Sequence, residues 1–424
     1  MTRPVLLPLR SVRAILRTRR GPLDPGALAS VTGIVESVRL EGEPALRRHA
    51  RRLGDLDADD PLWIDRRAMR RALEKISTGA RALLERTAER ICAFAHAQRD
   101  TLTALEVPIP GGTAGHRIAP VERAGCYAPG GRYPLPSSVL MTAVTARAAG
   151  VRDVCVASPR PPAIVLAAAA LADVDLFLAA GGAHAIAALA WGAGPLVPVD
   201  IVVGPGNAYV TAAKYLVSRA VRIDMLAGPS ELVVLAGSDA NRSTVAADLL
   251  AQAEHDPAAV PIVVTTDRNL VAAVRRELIA QLDHLPTRDI AIEALAGGAA
   301  VVCTDVEDAI RTCNALAPEH LQLAGAEAES CAPLLRAYGS LFANAAAGEV
   351  LADYGIGPNH VLPTGGTARG GAGLSVMTFL RLQTWVRIHD PSGAAVMARD
   401  AAAFARLEGL EAHARAAERR LLSD

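Results

Sequence analysis

Lysine is nearly missing from this chain of 424 residues; Lys75 and Lys214 are the only two, and the other basic side chains are arginine. Chemistry that needs a Schiff-base or phosphate-loop lysine therefore has almost nowhere to sit. Net charge is missing too: 44 basic residues balance 44 acidic ones. A nucleic-acid partner would call for a basic excess to neutralise phosphates, so none is expected. Aromatics make up only 3%, too few for a base-stacking platform. The six cysteines (Cys92, Cys126, Cys155, Cys303, Cys313, Cys331) form no CxxC pair and no framework spacing, and read as free thiols of a reducing compartment. The longest apolar run, Ala163 to Ala172, ends at Asp173 and falls far short of the roughly 20 residues of a membrane span. The arginine-rich start, Met1 to Leu23, lacks the apolar core of a secretory signal and reads as an N-terminal arm. A cytoplasmic protein without membrane contact is expected.

What is present is apolar: 51% hydrophobic residues over a length that suggests two or three domains. From about Pro25 to Glu106 the texture is charged and helix-periodic, as in ALLERTAERICAFAHAQ. From Gly111 it changes to short apolar strands, Gly/Pro turns and Ala-rich helices. VRDVCVASP, DVDLFLAAGG, DIVVGPGN, ELVVLAG, PIVVTT and AAVVCTD are strand candidates. Runs apolar on both faces belong to parallel sheets covered by helices. Two such blocks are visible, 127–231 and 232–374, and the last fifty residues return to helix.

Three glycine turns follow strands. VDIVVGPGNAYV exposes backbone N–H groups ahead of a helix, where a phosphate binds well, although any tight βα turn looks similar. AAGGAHAIAALAWG carries His184 in its first helical turn, a position where a surface or capping histidine is the commoner case. GCYAPGGRYP carries Tyr127 and Tyr133. Together they suggest one ligand-collecting rim of a sheet. AADLLAQAEHDP sets Gln252 and His255 three apart on one helical face, a metal pair or a dipole-capping histidine. NALAPEHLQL puts Pro318 in the first turn of an expected helix with Glu319 and His320 on different faces, fit for two proton transfers or for a plain acidic first turn. LADYGIGPNHVLPTGGTARGGAGLSV holds Asp353 and His360 in an expected irregular loop. EGLEAH sets Glu408 and His413 five apart, roughly 140° around a helix, so a shared ligand would have to come from elsewhere, such as another subunit.

YAPGG, GGAHAIAALAWG, GPGNAYVTAAK, LAGPSELVVLA, AADLLAQAEHDP, APEHLQL, DYGIGPNHVLPTGGTAR, GLSV and EGLEAH, in this order over residues 111–413, resemble the histidinol dehydrogenase family. The resemblance implies an α/β fold: two Rossmann-like parallel-sheet domains, a helical N-terminal segment and a helical C-terminal dimerisation tail. It divides the chain into an arm (1–24), a discontinuous domain (25–126 and 232–374) with most zinc and catalytic residues, an NAD-side domain (127–231) and a tail (375–424) reaching the partner subunit. It implies oxidation of L-histidinol to L-histidine in two NAD-dependent steps, with one zinc per subunit in a homodimer with shared active sites. Zinc ligands would be Gln252, His255, Asp353 and His413; Glu319 and His320 would be the acid–base pair. Ser230, His360 and Glu408 would join those ligands and His320 in contacting substrate, and Tyr127, His184 and Asn207 would contact NAD. His184 stands where the family pattern has glutamine. GHRIAPVERAGCYAPGGRYPLPSSVL also resembles a paralogous branch that includes sulfopropanediol dehydrogenase, so another polar alcohol, or ligand binding without turnover, is the alternative.

Overall fold

The structure is a computed structural model that describes residues 4–19, 21–57, 59–130 and 133–421. Gly131 and Arg132 of the expected APGGR turn lie outside the described residues. In chain order the strands are β1 Trp63–Asp65, β2 Leu105–Ile109, β3 Gly112–Pro120, β4 Arg123–Tyr127, β5 Asp153–Ala157, β6 Leu176–Leu178 and β7 Ile201–Val203. They continue as β8 Arg222–Ile223, β9 Glu231–Ala236, β10 Val260–Thr265, β11 Ala299–Val302, β12 His320–Ala324, β13 Ser340–Phe342 and β14 Leu380–Ile388. All six runs read from the sequence are strands.

Two parallel sheets with helical cover carry the fold. One has the order β1-β6-β5-β4-β7-β8, with only β1 antiparallel; the other, β11-β10-β9-β12-β13, is parallel throughout. Every residue of β9 is buried, as expected of a strand apolar on both faces and central in its sheet. β14-β3-β2 form a third, antiparallel sheet. The expected helical tail (375–424) thus needs correction: after a 3-10 turn at Val376–Phe379 it runs as a nine-residue strand registered along the whole of β3 before its helices begin. Alternation in LRLQTWVRI is the strand signal there.

Within the segment 25–126, grouped with 232–374 in the sequence reading, the helices pack instead on the six-stranded sheet, and β2 and β3 pair with β14. Helix Pro25–Glu41 lies on Gly182–Trp191 and Ala208–Val217, Arg66–Lys75 on Ala163–Leu171, and Thr78–Asp100 on Pro136–Ala149. The N-terminal arm is stitched to the other sheet. Leu7 is fully buried in its core, and Arg10 N–H donates to Ala300 O beside an isolated bridge from Leu9 to Ala300. No helix among the described residues is long and apolar enough to cross a membrane.

One of the two lysines holds a turn. Lys214 and Asp224 form a buried ion pair; Lys214 also donates to Gly204 O, and Asp224 accepts from the Gly204 N–H. Gly204 has φ +118°, and a Cβ there would lie 2.0 Å from Tyr127 O, so only glycine fits. Lys214→Met leaves a buried carboxylate without its cation. Chemical denaturation is expected to show a loss of about 3–5 kcal/mol.

Candidate active site

β12 lies beside β9 with His320 opposite Leu232, which sets Glu319 across from Glu231 at the amino edge of the five-stranded sheet. The expected helix at Pro318 is therefore not formed. Helix Val306–Leu316 stops because Ala317 turns left-handed (φ +44°). The apolar run that follows is buried as a strand between β9 and β13, and that burial outweighs proline's preference for a helical first turn.

The main chain of a single residue, Glu231, grips both expected acid–base residues. Glu231 N–H donates to Glu319 Oε2 at 2.9 Å, and His320 Nδ1 lies 3.2 Å from Glu231 O. That contact puts the ring proton on Nδ1 and leaves Nε2 as a bare lone pair, buried with no protein partner. Burial holds His320 down to about 4, so the ring is neutral at neutral pH. Burial raises Glu319 well above the usual carboxylate range, although the Glu231 N–H and the Ser230 hydroxyl favour its charged form.

Asp353 is the last residue of a short helix, Glu349–Asp353, rather than part of an irregular loop. Its backbone oxygen accepts from His360 Nδ1 at 3.0 Å. His360 is also lowered, chiefly by burial. Glu349 lies four residues before Asp353, hence on the same face, with Oε1 at 3.3 Å from His320 Nδ1. Burial holds it, too, well above the usual carboxylate range. The sequence reading missed Glu349; its four-residue spacing from Asp353 was the available signal.

These groups form a donor cluster. His320, Glu349 and Asp353 offer ligand atoms within 4.8 Å of one another. Asp353 Oδ2 is 3.7 Å from Nε2 of His255, which stands just past the end of helix Arg242–Ala253. Gln252, from the last turn of that helix, is fully buried with neither amide atom hydrogen-bonded. An orphaned amide costs about 1–3 kcal/mol unless a ligand completes it. A set of Gln O, His N and Asp O suits a borderline cation such as zinc, and 3.7 Å leaves room for an ion about 2 Å from each partner. Glu408 and His413 are not brought to this cluster within one chain. They are exposed on the C-terminal helices, and no hydrogen bond or ion pair ties their side chains to it.

The glycine turns do share a rim. Tyr127 ends β4, the Gly181–Gly182 pair follows β6, and Asn207 caps helix Ala208–Val217 after β7, all on the carboxyl edge of one parallel sheet. Tyr127 Oη accepts from Gly182 N–H at 3.1 Å, and burial lifts its phenol to about 12. Asn207 Oδ1 accepts from the Tyr209 and Val210 N–H groups, leaving its NH₂ for a ligand. His184 is neither a surface nor a capping residue. It is buried, with Nε2 2.9 Å from Asp55 Oδ2 and Nδ1 without a partner. Asp55 was missed in the sequence because it lies in an unpatterned charged loop.

Two helix-covered parallel sheets, one glycine-turn rim, and a buried imidazole–carboxylate pair beside N/O donors define an α/β enzyme of the dehydrogenase class. Comparison with known proteins sharpens the class. The family model described as histidinol dehydrogenase matches residues 19–421. The histidinol dehydrogenase of Thermus thermophilus is 44% identical over 413 residues, covering 96% of this chain and 98% of its own. That of Moorella thermoacetica is 42% identical, covering 98% of this chain and 100% of its own. The crystal structure of histidinol dehydrogenase from Elizabethkingia anophelis superposes with a TM-score of 0.90 at 30% identity, covering 98% of both chains. The chain belongs to the histidinol dehydrogenase family and is an oxidoreductase of that type.

Proposed function

We propose that the chain oxidises L-histidinol to L-histidine through the aldehyde, in two NAD-dependent hydride transfers at a zinc site, as the last step of histidine biosynthesis. The observation that supports this most is the grip of the Glu231 main chain, through its N–H and its C=O, on Glu319 and His320 beside the orphaned Gln252 amide. His320, neutral with a bare Nε2, takes the hydroxyl proton as hydride leaves the carbinol carbon for NAD. Glu319 takes a proton from the water that hydrates the aldehyde, which makes the second hydride available. Ser230 holds Glu319, and His360, fixed through Nδ1 on the Asp353 carbonyl, turns Nε2 toward substrate. Gln252, His255 and Asp353 would hold zinc together with His413 of the partner subunit, and Glu408 of the partner subunit would complete the substrate pocket. Bound zinc supplies a redox-silent positive charge that keeps the amino alcohol in register. Tyr127, His184 and Asn207 would hold NAD, with His184 Nδ1 accepting or donating one hydrogen bond in place of an amide. The reading includes a homodimer, because Glu408 and His413 lie exposed on the C-terminal helices of their own chain and would serve the partner's site.

The deciding assay supplies the purified protein with NAD and either L-histidinol or sulfopropanediol. Two NADH per histidinol and none with the sulfonate are expected; turnover of the sulfonate alone would overturn the assignment. Metal analysis after gel filtration tests the donor set. His255→Asn is expected to weaken zinc at least by the 10–100-fold that loss of an outer-sphere partner costs. Full zinc occupancy in that variant would remove His255 from the set.

A further inference from the structure

The N-terminal arm ends in a contact that the proposed chemistry does not by itself require. Arg19 follows helix Val12–Thr18 and sends its guanidinium into the amino edge of the five-stranded sheet. There it makes a fork-to-fork pair with Glu231, Nε to Oε1 at 3.2 Å and Nη2 to Oε2 at 2.6 Å. Its third nitrogen, Nη1, donates to Leu316 O, the last carbonyl of the helix that leads into Pro318 and Glu319. One planar cation thus ties together the two chain segments that meet at the reacting groups. Glu231 opens β9, and its N–H and C=O hold Glu319 and His320; Leu316 fixes the approach to Glu319.

The surroundings are shaped for this cation. Gly366 is left-handed at φ +79°, and a Cβ there would lie 2.5 Å from Arg19 Nη1. The Glu231 carboxylate is nearly buried, and burial raises it despite the guanidinium beside it, so without Arg19 it would lose its main reason to stay ionised and in place. A cavity of about 450 Å³, lined in part by Arg10, Arg19, Glu231, Pro318 and Gly365, borders the pair.

We infer that Arg19 and Glu231 are positioning residues for the reaction: Arg19 fixes the Glu231 side chain and so the Glu231 main chain that aims Glu319 and His320. The inference rests on the acid–base roles proposed above. Neither residue is among the proposed substrate contacts. A slack main chain at Glu231 would misplace both proton-transfer groups, and a displacement of about 1 Å at such groups can cost on the order of 100-fold in rate.

The test is chemical rescue. Arg19→Ala is expected to lower kcat on histidinol roughly 10–100-fold with a much smaller change in KM. Guanidinium chloride far below denaturing concentrations should then restore much of that loss by entering the neighbouring cavity. Ethylammonium should restore less, because it has no planar fork for the carboxylate. If Arg19→Ala folds poorly, Arg19→Lys, which keeps the charge but not the fork, is expected to show the same fall in kcat with a near-normal melting temperature. Wild-type kcat in a folded Arg19 variant, or a loss that guanidinium leaves untouched, would overturn the inference. Full activity in Glu319→Gln and His320→Asn would overturn the acid–base reading and the inference with it. Loss in those two alongside full activity in Arg19→Ala would overturn only the inference.

Discussion

His320→Asn is expected to lower kcat with histidinol by about 10²- to 10⁴-fold, the usual worth of a positioned general base. At 1.36 kcal/mol per decade, that is about 3–5 kcal/mol of transition-state stabilisation. Asparagine is chosen for its shape. Its amide N–H can occupy the place of the imidazole Nδ1–H and keep donating to Glu231 O, the contact that anchors the ring. What disappears is Nε2, the buried nitrogen that no protein group uses. The substitution thus separates base from anchor, and KM should move far less than kcat. Steady-state NADH production and a melting curve check both halves. A rate within tenfold of wild type, in a normally folded variant, would show that His320 is not the base.

The strands were legible because their burial is written in their composition. ELVVLA and PIVVTT are apolar on both faces, and only a helix-covered parallel sheet accepts that. His320 and Glu319 were found by residue type but given the wrong backbone. APEH has a helical first-turn signature, whereas the strand is decided by β9 and β13 on either side, which no local window contains. Asp353 failed in the opposite direction: five residues of helix before a Gly/Pro loop are too few to show a period. Glu349 and Arg19 escaped for a shared reason. One is an ordinary acid whose only local mark is its four-residue spacing from Asp353, the other an arginine among many, and their roles show in contacts made elsewhere in the chain, Arg19 with Glu231 being 212 residues away. Glu408 and His413 show the converse limit. The spacing said that they cannot serve one ligand alone, and a single chain leaves both in solvent.

Glu319→Gln is expected to split the reaction in two. Glutamine is nearly isosteric, and its amide oxygen can still accept from Glu231 N–H, so the loop and His320 should stay in place. It cannot accept a proton from water. The first hydride needs only the hydroxyl proton to reach His320, so a burst of about one NADH per site is expected from histidinol at a rate near that of wild type. The second hydride needs the hydrated aldehyde. Burial lifts the Glu319 carboxylate well above its usual range, which makes the ionised form a stronger base than an exposed acid. With that base gone, steady-state formation of histidine should fall about 10²- to 10⁴-fold, and the aldehyde offered directly should give almost no NADH. Stopped-flow absorbance of NADH reads burst and steady state in one trace. Two NADH per histidinol at the wild-type rate would remove Glu319 from the hydration step; loss of the burst as well would mean that Glu319 already acts in the first.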